Sequence, residues 1–233
     1  MKKTFLFLLT VWFSVGMSKA QPAGIYGYTI ADNKVVVSDL IEFSGLTDEQ
    51  IFVNALLFAI DRFTEEERFA KIDFEKHQFT VDRCIISENL EDTRYYYSID
   101  FKLSEGMLTF WARNIFYKSS DLIALGSPKG VPFEKLNPEK RPKQQAYLDE
   151  FLAENTAYIR EMTDAVRRNA GGEVTHWTEI ATGKVVKGMN ETEVKLIYGK
   201  PQHTSLSGER CRMLFKNNIV VILESGIVSN VIK

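Results

Sequence analysis

Apolar side chains recur along this chain with two different periods, and the changes from one to the other mark out its elements. From residue 51 the period is helical: Ile51, Phe52, Ala55, Leu56, Ala59, Ile60 and Phe63 share one broad apolar face. Thr47 with Gln50 three residues on makes a capping box, and Leu46 is placed to staple it. The charged run Glu65-Glu66-Glu67-Arg68 reads as the solvated end of that helix. The period then drops to two. Ile72 and Phe74 alternate with charged neighbours, Phe79 and Val81 do the same, and Cys84 to Ile86 continues apolar. Tyr95, Tyr97, Ile99 and Phe101 alternate with Tyr96, Ser98 and Asp100, the pattern of a strand buried on one face. Ser104-Glu105-Gly106 is a turn, and Met107 to Phe116 reads as one more strand. Upstream, Ile25 to Ile30 and Lys34 to Val37 around Asp32-Asn33 suggest a first hairpin.

Residues 119 to 141 carry three prolines, Pro128, Pro132 and Pro138, and read as a connecting loop. Helical spacing returns with Tyr147, Leu148, Phe151, Leu152, Tyr158, Ile159, Met162, Ala165 and Val166. This helix is expected to start at Asn137-Pro138, run to about Arg168 and stop at Gly171-Gly172. Gly171 to Gly183 reads as a hinge-like connector. Next comes Gly188-Met189-Asn190-Glu191-Thr192-Glu193-Val194-Lys195-Leu196-Ile197-Tyr198-Gly199-Lys200-Pro201. Asn190 is a natural N-cap, and Glu191 and Glu193 suit the positive end of the helix dipole. Val194 and Ile197 give it an apolar side, while Gly199 and Pro201 end it. Three strands follow, Glu209 to Lys216, Asn218 to Leu223 and Ile227 to Val231, turning at Asn217-Asn218 and Ser225-Gly226. A strand, a helix and a run of strands, then a helix, give an α+β chain whose antiparallel sheet carries helices on one face.

Composition narrows the setting. Lys2 and Lys3, the apolar stretch Phe5 to Val15 and the small residues of Ser18-Lys19-Ala20 have the form of a secretory signal. Residues 1–20 are therefore expected to be removed, leaving 21–170 as one α+β domain and 171–233 as a second, smaller one. No Cys lies near the cleavage point, so lipid attachment is not expected, and no later stretch has membrane-spanning length. The expected location is the periplasm or cell envelope of a Gram-negative bacterium. A formal charge of -2 disfavours nucleic acid as a partner. Sixteen Phe and nine Tyr in a chain that is 45% hydrophobic argue for packed, strand-rich cores. Export permits a disulfide between Cys84 and Cys211, although two free thiols are the simpler expectation.

The segment from Gly188 to Pro201 resembles the repeat of the SmpA/OmlA (BamE-like) outer-membrane lipoprotein family, through Gly188, Met189, Glu193, Val194, Gly199 and Pro201. The resemblance covers about the last fifty residues and implies a BamE-like or β-lactamase-inhibitor-like (BLIP-like) unit of a helix and three strands. Residues 35 to 117 resemble an uncharacterised secreted family of Bacteroides-type bacteria with a TATA-binding-protein-like (TBP-like) fold. That likeness rests on Val36 to Leu40, Thr47 to Phe52, Ala55, Phe63, Tyr95 to Leu103 and Gly106-Met107-Leu108. It implies architecture, since the family has no assigned activity.

Candidate chemistry is sparse. His77, His176 and His203 are far apart and in no metal-ligand spacing, so neither a metal nor a cofactor is expected. No phosphate-binding loop occurs. Tyr95, Tyr96, Tyr97 and Trp111 are candidates for an aromatic surface facing sugars or peptides, while alternation sends Tyr95 and Tyr97 to one side and Tyr96 to the other. The expected role is non-catalytic binding or scaffolding, with an envelope protein or peptide as partner and the open face of the C-terminal sheet as contact surface. The competing expectation is a hydrolase or metal-dependent enzyme with a site between the domains, built from residues such as His176, His203 and Glu209.

Overall fold

The computed structural model describes residues 28–31, 34–90, 92–120, 130–136, 140 and 142–233. The signal-like Met1–Ala20, the Asp32-Asn33 turn, most of the proline-rich loop and the expected helix start at Asn137-Pro138 lie outside them.

Strands β1 (Tyr28–Ala31) and β2 (Lys34–Glu42) precede helix α1 (Asp48–Arg62). Strands β3 (Arg68–Asp73), β4 (Gln78–Ile86), β5 (Arg94–Ser104), β6 (Met107–Lys118) and the short β7 (Val131–Pro132) follow. They form one seven-stranded antiparallel sheet in the order β1-β2-β6-β5-β4-β3, with β7 against the far end of β6. The α1 capping box is present as expected: Gln50 N–H donates to Thr47 Oγ1 (3.2 Å) and Thr47 N–H to Gln50 Oε1 (2.9 Å).

Alternation places Phe79, Val81, Tyr95, Tyr97, Ile99, Phe101, Leu108 and Phe110 on the inner face of the sheet, all buried. Phe79 stacks on Phe101 at 4.6 Å, and Phe52 of α1 meets Phe79 edge-on at 6.0 Å. Helix α2 (Lys143–Arg168) covers the same face, its Phe151 lying 5.0 Å from Tyr97 and 5.2 Å from Phe133. Each such buried aromatic contributes about 1.5–3 kcal/mol. In β6 the alternation slips at Asn114, which takes φ 55°, so Ile115 and Tyr117 turn inward and Phe116 outward.

Several expectations are corrected here. Helix α1 ends at Arg62, so Glu65 to Arg68 is not a solvated helix end. Arg68 opens β3, and Glu67 is buried because Arg83 pairs with it at 2.7 Å. Helix α2 stops at Asn169, which adopts the left-handed conformation (φ 46°), two residues before the glycines. Gly171 answers a different need. A Cβ there would come within 3.2 Å of Val53, Asn54 and Leu57 of α1. The connector after it contains a one-turn helix, α3 (Trp177–Ala181).

Helix α4 (Glu191–Tyr198) matches the expected short helix and ends at Gly199. The three expected strands are present as β9 (Arg210–Leu214), β10 (Val220–Glu224) and β11 (Ile227–Ile232). They are joined by a fourth, β8 (His203–Ser207), giving the order β11-β10-β9-β8. All five β8 side chains are exposed, so it carries no apolar alternation to read. The core does not stop at residue 170. A single buried cluster runs from the large sheet through α1 into Met189, Val194, Met213, Phe215, Val221 and Leu223. Instead of one apolar face, α1 buries nine of its fifteen residues, packed between the sheet, α2 and α4.

Candidate functional site

The described helices α1 and α2 occupy one face of the seven-stranded sheet, so among the described residues the strands' other, outer face has no helical cover. Its centre is Trp111 on β6, 36% exposed, with Asp100 of β5 directly across from it. Trp111 borders a shallow depression of about 290 Å³ shared with Lys71, Thr80, Asp100, Lys102 and Arg113. Asp100 is held twice: Thr80 Oγ1 donates to Oδ1 (2.6 Å), and the Arg113 guanidinium pairs with it, one nitrogen 3.1 Å away. Burial pushes the Asp100 carboxyl up, but the hydrogen bonds from Arg113 and Thr80 outweigh it and hold the group below its usual range. Leu40 and Ile86 stand on the same face, 51% and 61% exposed.

The four tyrosine and tryptophan candidates divide as alternation requires. Tyr95 and Tyr97 are buried inside the fold and present no surface. Tyr96 and Trp111 lie on the outer face, Tyr96 stacked on Phe116 at 5.3 Å with the Lys118 ammonium 4.9 Å above its ring. Glu66 and Arg94 pair beside Tyr96. Cys84, also in that corner, is a buried free thiol pushed up to about 11 by burial and by Glu66. Cys211 is free as well.

Buried polar clusters that sequence reading missed lie on the inner side. Arg83, an inward position of β4, donates from Nε to Glu67 Oε1 and lays its guanidinium 3.6 Å from the Tyr158 ring centre. Thr64 N–H completes the Glu67 carboxylate at 3.0 Å. Glu150 of α2 accepts from Tyr95 Oη (2.6 Å), Ser87 Oγ (2.7 Å) and Asn89 Nδ2 (3.0 Å), tying the β4–β5 loop to the helix. Burial raises that carboxyl, and these donors bring it below its usual range. The available signal was a charged residue at the inward register of a strand, at Arg83.

The six motif residues serve structure. Met189 and Val194 are core, Gly188 and Gly199 take φ 96° and 78°, and Pro201 follows the stop. Glu193 does more than face the helix dipole. Its side chain is 1% exposed, and its carboxylate accepts the N–H groups of Asn190 (2.8 Å), Thr175 (2.7 Å) and His176 (2.9 Å). His176 Nδ1 lies 2.9 Å from the same carboxylate. His176, His203 and Glu209 do not converge. His203 begins β8, Glu209 sits in the turn at the hairpin's other end bonded to Ser225 Oγ, and His176 faces Glu193. His77 packs its ring 5.1 Å from Phe52. Among the described residues no group of three or more His, Cys, Asp or Glu is placed to hold a metal, and no helix is long and apolar enough to cross a membrane.

A cleft of about 670 Å³ lies where α1, the end of α2 and the start of α4 meet, lined by Asn54, Asp61, Arg168, Thr192 and Lys195 among others. Asn54 bridges it, donating to Asn169 Oδ1 (2.8 Å) and accepting from Gly171 N–H (2.9 Å). Its charges are mixed, and no nucleophile with a base lines it.

No family model matches the sequence, and no curated protein matches it. Among solved structures, a TBP-like protein from Parabacteroides distasonis is similar over 60% of this chain and 96% of its own, at 19% identity and a TM-score of 0.48. A DUF4468 family protein from Bacteroides ovatus is similar over 68% of this chain and 99% of its own, at 18% identity and a TM-score of 0.45. The first carries the same fold name as the resemblance read from residues 35–117, and neither bears on the BamE-like reading of the C-terminal segment. The α+β architecture described above rests on the strand order and packing of this chain itself.

Proposed function

We propose that this chain is an exported, non-catalytic binding module of the cell envelope, and that the outer face of the large sheet around Trp111 is its contact surface. One observation carries the reading. Among the described residues the sheet carries helices on a single face, and its other face exposes Trp111 beside Thr80 and Asp100, with Leu40 on β2 and Ile86 at the far end of β4. A half-exposed indole beside fixed hydrogen-bonding groups suits a ligand with both apolar faces and hydroxyl or amide edges, as sugars and peptides have. The signal-like Met1–Ala20 supports export, and the separation of His176, His203 and Glu209 favours binding over the hydrolase alternative.

The test is a fluorescence titration of the mature chain, in a Trp177→Phe background, with soluble muropeptides, envelope oligosaccharides and envelope-derived peptides. The expected result is a saturable change in Trp111 emission for one class, without turnover, and loss of binding in Trp111→Ala measured calorimetrically. Conversion of any of these ligands, or binding indifferent to Trp111→Ala, overturns the reading.

A further inference from the structure

Three sheet edges, β3, β11 and β8, are treated differently by the chain. The β3 edge is broken by a bulge between Phe69 and Lys71 and carries charged side chains. The β11 edge is capped at its start: Gly188 N–H donates to the Val228 carbonyl (3.1 Å), and Val228 N–H donates to the Met189 carbonyl (2.7 Å). Strand β8 has neither device. It pairs with β9 in unbroken register from His203↔Leu214 to Ser207↔Arg210, holds no Pro or Lys, and among the described residues no strand pairs with its other side. A regular, unprotected edge is a template for another strand, and natural proteins blunt such edges unless they are used.

We infer that β8 docks an extended, acidic segment of a partner protein, which adds to the sheet as a fifth strand. Charge selects the partner. Arg212 lies opposite Ser205 and Arg210 opposite Ser207, both exposed and in no ion pair among the described residues. Neighbouring strands are about 4.8 Å apart, so an arginine one strand in reaches across a serine to the added strand. Glu224 stands across from Arg210 and offsets part of its charge, whereas Arg212 has Ile222 as its neighbour on that side. On the opposite face Leu206 is 76% exposed beside Cys211 and offers an apolar contact. The incoming segment therefore alternates, with acids facing the arginines and apolar residues facing Leu206. A second copy of this chain fits poorly, because pairing β8 with β8 gathers four arginines along one seam.

The experiment uses the mature full-length chain and a fluorescein-labelled, end-capped peptide of ten alternating Glu and Val residues. Two companions are the same peptide with alternate backbone amides N-methylated, and a Lys–Val version. Anisotropy is expected to show saturable binding of the Glu–Val peptide and none of the Lys–Val peptide. N-methylation is expected to weaken binding at least ~10-fold, as is Arg210→Glu/Arg212→Glu, each a loss of about 1.4 kcal/mol. The N-methylated peptide tests the ladder without altering the protein, so a variant that folds badly does not blur the result. Trp111→Ala is expected to leave this binding unchanged, which separates it from the sheet-face reading. No binding, binding indifferent to N-methylation or charge reversal, or dimerisation of the chain through β8 overturns the inference.

Discussion

Glu67 and Arg83 lie under helix α2, where a charge without a partner is far more costly than a charge pair is valuable. Their side chains are 1% and 12% exposed, joined at 2.7 Å and walled by the rings of Tyr97 and Tyr158. Removing one partner strands the other. Glu67→Ala is therefore expected to lower stability by about 3–5 kcal/mol in denaturant unfolding, while Glu67→Leu/Arg83→Met, which removes both charges, costs much less. Similar losses for the single and double variants would mean that the pair matters for its packing and not for its charge. In the sequence Glu67 is one acid among three and looks like surface. Arg83 was more legible, because counting by twos from Phe79 and Val81 sends it inward. Its partner, sixteen residues away across a strand connection, was not.

Among the elements, legibility followed how local the causes are. The α1 capping box, the Asn190 N-cap, the β5 alternation and the turns at Asn217-Asn218 and Ser225-Gly226 depend on residues close together in sequence. Strand β8 depends on pairing with β9 and has no apolar face of its own, so nothing in His203–Ser207 announces it. The slip at Asn114 is likewise imposed by the register with β5. Helix α4 combines both kinds: its Asn190 N-cap was readable, whereas the grip of Glu193 on residues 175 and 176 was not. That grip makes acid the condition to watch. Burial raises the Glu193 carboxyl, but backbone donors from Thr175, Asn190 and His176 and the His176 ring outweigh it and hold the group below its ordinary 4.5. A depressed carboxyl stabilises the fold above its unfolded value and loses that contribution as pH falls through the folded one. Glu150 and Asp100 are shifted the same way. Thermal scans are expected to show stability falling steeply below about pH 4.5, and Glu193→Gln to be less stable at pH 7 by about 1.5–3 kcal/mol with a shallower acid loss. An unchanged acid slope in Glu193→Gln would remove this carboxylate from the account.

At the scale of the whole molecule, the two sheets share one core through α1. Helical spacing revealed that α1 is apolar; that it is covered on several sides requires knowing where α2 and α4 pack, which only the fold supplies. Shared burial couples the two parts in unfolding. Trp111 lies on the large sheet, and Trp177 lies on α3 with its ring 5.7 Å from Phe74, just past the end of β3, so the single variants Trp111→Phe and Trp177→Phe are expected to give coincident fluorescence midpoints. Two midpoints would show that the parts unfold independently. The position of α1 also has a consequence in time. It is synthesised early, but one of its walls is α4, which begins only at Glu191. At about 5–20 residues per second, several seconds separate the two. Throughout that interval the innermost helix has a greasy flank without its cover. A premature stop anywhere before Glu191 makes that exposure permanent, so a lesion late in the gene does its damage at the centre of a unit encoded near its start.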